Sequence, residues 1–220
     1  MRRALSLLSL TLLLSSALVA AAPQVPRVIE VPARPAFTRL AGSAEKDAHP
    51  GQWLPPESML RTQTPGRLQV QLAHGRSFRL GGDAVVRLRG DELELEKGRI
   101  IAWVNPGSKG GAPLRIRTRV ATASIVGTTV FIEATKDKTL FLSWEGKVRI
   151  DTDQARSFEL MGGQAMAKVD GIWQLPHRLS PDEARQRRSN SLLFQNFTAP
   201  MQTLPQIDHT FGFAAADPAQ

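Results

Sequence analysis

Cysteine is absent from all 220 residues. That excludes disulfide frameworks, thiolate metal sites, iron–sulfur clusters, a catalytic thiol and a lipid-modified N-terminal cysteine. Tyrosine is absent too, so no phenol can serve as acid or nucleophile. Histidine is scarce. His49, His74, His177 and His209 lie in unrelated contexts without the i, i+4 or short-loop spacing of a metal site. Nothing implies a metal or any other cofactor. No Gly-x-Ser-x-Gly elbow exists, which disfavours a hydrolase of that type. Gly107-Ser108-Lys109-Gly110-Gly111 lacks the order and the following helix of a phosphate loop, and reads as a hairpin loop.

What is present suits one globular domain with flanking segments, at 42% hydrophobic and 22% charged. Arg2 and Arg3 precede an apolar stretch from Ala4 to Val19, and small residues follow at Ala20, Ala21 and Ala22. This is the layout of a secretory signal. Cleavage after Ala21 is preferred, since a cut after Ala22 would leave Pro23 at the new terminus. Ser6, Ser9, Thr11, Ser15 and Ser16 weaken the competing reading, an uncleaved anchor. No later segment is apolar enough to span a membrane, so the expected location is the periplasm of a Gram-negative-type bacterium or the medium. Without Arg2 and Arg3 the formal charge falls from +8 to +6. Nucleic acid is disfavoured as a partner for an exported chain despite this charge.

Residues 22–51 are rich in Pro and Ala and read as an extended or disordered linker. Residues 52–175 consist of short runs of period-two alternation separated by glycine turns. Leu68, Val70 and Leu72 alternate with Gln69 and Gln71. Leu93 and Leu95 alternate with Glu92, Glu94 and Glu96, and Leu114 and Ile116 with Arg115 and Arg117. Leu140, Leu142 and Trp144 lead into the turn Glu145-Gly146-Lys147. The pattern predicts an all-β domain of about a dozen short strands, each with one buried and one solvated face. They would pack as two facing sheets, a roll or a short solenoid. Ser180-Pro181-Asp182-Glu183 is a helix start, predicting one C-terminal helix over residues 180–198 and a flexible tail over 199–220.

Five segments carry a resemblance to a known family. They are Gln52 to Thr62, Leu93 to Ile100, Ile116 to Phe131 with its Ile125-Val126-Gly127-Thr128 centre, Trp144-Glu145-Gly146-Lys147-Val148, and Gly162-Gly163-Gln164. In this order they resemble a FecR-type periplasmic domain over roughly residues 52–173. The resemblance implies an all-β periplasmic module without catalytic residues. The founding members pass a signal from an outer-membrane transporter to a sigma factor through an N-terminal cytoplasmic segment and a membrane helix. Here only Met1-Arg2-Arg3 precede the apolar stretch, so the expectation is the domain without that anti-sigma segment.

The residues offer one charged constellation. Arg115, Arg117 and Arg119 project from one strand face at two-residue spacing, and with Arg87 and Arg89 they could form a basic surface for an envelope protein or an anionic glycan. The competing reading pairs them across strands with Glu92, Glu94 and Glu96. Gly127 and Thr128, with Gly146 and Gly163, read as fold elements that turn the chain between sheets. Glu57, Glu133, Glu145 and Asp170 show no spacing of a catalytic pair. Trp53, Trp103, Trp144 and Trp173 read as packing, although exposed tryptophans could stack on sugars. The expected function is a non-catalytic domain that binds another envelope component. A detached sensor module is the alternative, and an envelope hydrolase the third reading.

Overall fold

The structure, a computed structural model, describes residues 25–108 and 111–213. The expected signal segment, residues 1–21, lies outside them. Among the described residues sixteen strands form one hydrogen-bonded sheet. They are β1 (Arg27–Ala33), β2 (Ala36–Arg39), β3 (Lys46–Asp47), β4 (Met59–Thr62), β5 (Arg67–Gln71), β6 (Arg76–Arg89), β7 (Glu92–Val104), β8 (Leu114–Arg117), β9 (Ala121–Ile125) and β10 (Thr129–Ala134). There follow β11 (Lys138–Glu145), β12 (Lys147–Thr152), β13 (Ser157–Met161), β14 (Gln164–Val169), β15 (Ile172–Trp173) and β16 (His177–Arg178). Every pairing is antiparallel except β7 with β8.

The sheet is folded into two layers by its longest hairpin. β6 and β7 pair along their whole length, but the register shifts between Gly81 and Val86. Gly98 sits opposite this bulge with φ +92°, and a Cβ there would fall 2.2 Å from Ala84 Cα. Only glycine lets the two strands bend together at that point. Before the bend, β6 and the second half of β7 belong to a layer with β1, β5, β10, β11 and β14. Beyond it, the same hairpin belongs to a layer with β2, β4, β8, β9, β12 and β13. Leu60, Val86, Leu95, Ile116, Ala123 and Ile150 from one layer meet Leu68, Phe78, Leu80, Ile100, Ile132 and Phe141 from the other in the main core.

The chain crosses between layers at β9–β10, β11–β12 and β13–β14, where Gly127, Gly146 and Gly163 lie with φ of +61°, +70° and +83°. Thr128 is fully buried and donates its hydroxyl to the Glu145 carbonyl, clipping the first crossing to the second. The glycines of these first two crossings differ in their surroundings. A Cβ on Gly146 would lie 2.7 Å from Thr128 Oγ1 and 2.9 Å from Thr128 Cβ, whereas a Cβ on Gly127 meets nothing within 4 Å. Gly127→Ala should therefore cost about 1–2 kcal/mol, the left-handed backbone alone. Gly146→Ala should add overpacking of about 1–3 kcal/mol. Urea unfolding of the two variants checks this, and equal losses would show that the clip is not tight.

Three expectations need correction. Residues 27–47 are not a linker, since β1–β3 join the sheet and Val28 and Ala36 are fully buried. Proline is tolerated in β1 because Pro32 lies past the bridge that joins Arg27 to Trp53, where β1 pairs with β5 alone among the described strands and is irregular in register. The helix is shorter than expected. α1 (Pro181–Ser189) starts on its Ser180 cap, whose Oγ accepts from the Glu183 N–H at 3.2 Å. It ends at its Asn190 cap, and beyond it the carbonyls of Leu192 and Leu193 accept from Arg67 and Arg79. A second helix, α2 (Leu204–Phe211), occupies part of the expected tail.

The third correction concerns the faces of the strands. The layer holding β11 and β14 is buried on both sides. Phe141 points into the main core, while Leu140, Leu142 and Trp144 form a second core with Ile101, Trp103 and Ala165 on the opposite face. Residues 179–213 cover that face as a strap, contributing Leu179, Ala184, Leu193, Met201 and Ile207, with Phe194 and Phe211 edge-on to Trp144.

Polar groups fasten the strap. Arg79, 4% exposed, donates to Gln69 Oε1 (2.8 Å), the Leu193 carbonyl (2.9 Å) and the Ala199 carbonyl (2.8 Å). Its guanidinium also lies 4.1 Å from the Phe197 ring centroid. Burial pushes its pKa down to about 10, against the opposing pull of Glu30, so it is charged at neutral pH. Glu30 accepts from the Thr198 and Ala199 N–H groups, both at 2.8 Å, and from the Thr198 hydroxyl at 3.0 Å. Arg188 pairs with Asp208, joining α1 to α2.

Candidate functional site

The outer face of the other layer is polar, and it holds the charged constellation. Three adjacent strands place alternate residues on this face. The pairing register sets Arg87 of β6 opposite Glu94 of β7, and Glu94 opposite Arg117 of β8. One step along, Arg89, Glu92 and Arg115 form the parallel row. The glutamate strand is thus flanked on both sides by arginine strands. Arg117 Nε lies 3.2 Å from Glu92 and its Nη2 3.2 Å from Glu94. Arg115 lies 3.6 Å from Glu92, and Arg87 3.2 Å from Glu96. Arg89 bonds Glu94 at 3.1 Å and Glu57 at 2.6 Å. The hydrogen bond that Arg89 donates to Glu94, with Glu57 close by, holds the Arg89 pKa above its ordinary value.

Four of the five candidate arginines therefore meet on one surface, and each already faces a carboxylate. Arg119 is not among them. It follows β8 in a turn and donates its Nη2 to the Lys136 carbonyl at 2.7 Å. The rows continue across the sheet to Arg149, which bonds Asp151 at 2.9 Å and Ser157 at 3.2 Å. The surface that results is flat and of mixed charge. Pairs this exposed are worth about 0.2–1 kcal/mol each. A double-mutant cycle on Arg117→Ala and Glu94→Ala should return a coupling below about 1 kcal/mol. A coupling of several kcal/mol would mean that the ladder holds the fold and is not a free surface.

No group of three or more His, Asp or Glu side chains that could hold a metal is present among the described residues. The acids considered for catalysis are dispersed. Glu57 pairs with Arg89, and Glu133 with Arg99 at 2.7 Å. Asp170 lies in the turn after β14. Glu145 is buried, and that burial raises its carboxyl pKa despite hydrogen bonds from the Thr129 hydroxyl and N–H. Its hydroxyl neighbour Thr129 also meets Thr203 of the strap at 2.7 Å. Trp103 and Trp144 are core residues, and Trp53 is 55% exposed. Sequence reasoning missed Arg79, Arg76 and Glu30. Each is an ordinary charged residue in an alternating run, and its role comes from partners far along the chain.

Comparison with known proteins bears on the same region. The model of the FecR family, described as "FecR protein", matches residues 58–149. The match runs from the turn before β4 to the middle of β12, and so leaves out β1–β3, Gly162-Gly163-Gln164 and the strap. No curated protein matches the chain. Two crystal structures of a "putative anti-sigma factor" from Parabacteroides distasonis ATCC 8503, at 1.65 and 2.50 Å resolution, are similar at 20% identity. Their TM-scores are 0.48 and 0.47, and the overlap covers 55% of this chain and 59% of theirs. Residues 58–149 are thus similar to the FecR family, and the ladder strands β6, β7 and β8 lie inside the matched residues.

Proposed function

We propose that this chain is a non-catalytic, exported regulatory module that acts in cell-surface signalling by docking another protein of the cell envelope. The FecR match over residues 58–149 carries the reading. The charged N-terminus and apolar run of residues 1–21 support export. The ladder favours a folded protein as the partner over an anionic glycan. A polyanion would have to displace a glutamate from each arginine, whereas a surface of mixed charge can pair with both signs and gain orientation from them.

A benzophenone side chain in place of Arg149 tests the docking. Irradiation of cells should give one discrete adduct with an envelope protein, and deletion of the gene should change the transcription of a defined gene set. Cells that show neither the adduct nor the transcriptional change would overturn the proposal.

A further inference from the structure

A pocket of about 300 Å³ opens beside the β6–β7 turn, lined by Leu88 and Leu93, which alternate with the ladder residues Arg89 and Glu92. Its walls include Trp53, Pro56, Leu72, Leu88, Leu93 and Leu114. The charged side chains among its lining residues are Arg76 and Asp91. Two features set it apart from packing. The first is exposed apolar surface, with Trp53 55% and Val25 40% exposed at its rim. The second is Arg76, which is only 6% exposed. Its Nε donates to the Ala73 carbonyl at 2.9 Å and its Nη2 to Asp91 at 3.1 Å. Its Nη1 is buried with no acceptor among the described residues.

A buried guanidinium with an idle N–H is costly, and a carboxylate engages such a fork through two parallel bonds. Asp91 supplies one oxygen, from an exposed turn position with its side chain 70% exposed. An acidic group can therefore reach Arg76 from the open side, and one held more squarely can replace it.

We propose that this pocket binds a small monocarboxylate with a hydrocarbon body. Its carboxylate takes Nη1 and Nη2 of Arg76, and its chain lies along Trp53 and the leucines. One guanidinium neutralises one carboxylate, and Asp91 close by repels a second. Apart from the indole N–H of Trp53 the walls offer no other polar side chain, so the rest of the ligand is mainly apolar. This site stands apart from the docking role and does not rest on it.

The test is titration of the full chain with decanoate and with decan-1-ol, below their aggregation concentrations, followed by calorimetry and tryptophan fluorescence. Decanoate should bind saturably and decan-1-ol at least tenfold more weakly. Arg76→Gln should weaken decanoate at least tenfold. Because that variant removes a buried group and could unfold, Asp91→Asn is measured beside it. It removes the competing carboxylate from a surface turn and should tighten decanoate severalfold. Equal binding of acid and alcohol, no saturable binding, or an Asp91→Asn affinity equal to that of the native chain would overturn the proposal.

Discussion

A chain ending at Arg178 should not persist as a folded monomer. It keeps every strand and the whole matched FecR segment but loses the strap. The face carrying Ile101, Trp103, Leu140, Leu142 and Trp144 is then bare, although all five are at most 3% exposed in the intact protein. Burial of one large apolar side chain contributes about 1.5–3 kcal/mol. Losing Leu193, Met201, Ile207, Phe194 and Phe211 from that face therefore removes on the order of 10 kcal/mol, comparable with the whole stability of a typical domain. Size-exclusion chromatography and dye binding check the outcome. The truncated chain should aggregate or bind a hydrophobic dye, and a dye-free monomer with native tryptophan emission would contradict the two-core account.

Arg79→Met should be the most damaging single substitution in the strap's fastening, at about 3–5 kcal/mol. The methionine fills much of the stem's volume but leaves Gln69 and the Leu193 and Ala199 carbonyls without their donor. It also strips Glu30 of its cation. Arg79→Lys should recover little, because an ammonium on one stem cannot span acceptors held by a planar fork. Denaturant unfolding measures both, and a loss below about 1 kcal/mol would show that the apolar contacts alone hold the strap.

The same network sets a pH dependence. Burial alone would raise the Glu30 pKa, but the Thr198 and Ala199 N–H groups, the Thr198 hydroxyl and Arg79 outweigh it, and the net shift is downward. A carboxyl lowered on folding stabilises the native state above its unfolded pKa of about 4.5. That contribution is lost as the pH falls through the lowered native value. Arg79, at about 10, does not titrate in this range. Glu30→Gln should accordingly flatten stability against pH on the acid side.

The alternating runs and glycine turns made the two-layer β architecture readable from local pattern, because a strand with one wet face declares its period. Leu140, Leu142 and Trp144 show where that logic stops. Their alternation with Phe141 has the right period, but both sets are apolar, and periodicity alone does not say which faces the main core. β1 and β2 were hidden for a different reason. Proline signals a break locally, and only the pairing shows that Pro32 sits in an irregular stretch of β1 and Pro35 just before β2. Leu204, Ile207 and Phe211 fall on one helical face, so α2 was in fact legible. The ladder was half legible. Spacing gave the two arginine rows, but the parallel pairing of β7 with β8 decided which glutamate each would meet.

The strap also gives the molecule a history. Every strand precedes residues 179–213 in the chain, so the sheet can pair before the strap docks. For that interval two tryptophans and several leucines lie open on a finished β layer, the kind of surface on which nascent chains stick to one another. Biogenesis of this protein should accordingly depend on a holding chaperone until the strap has docked.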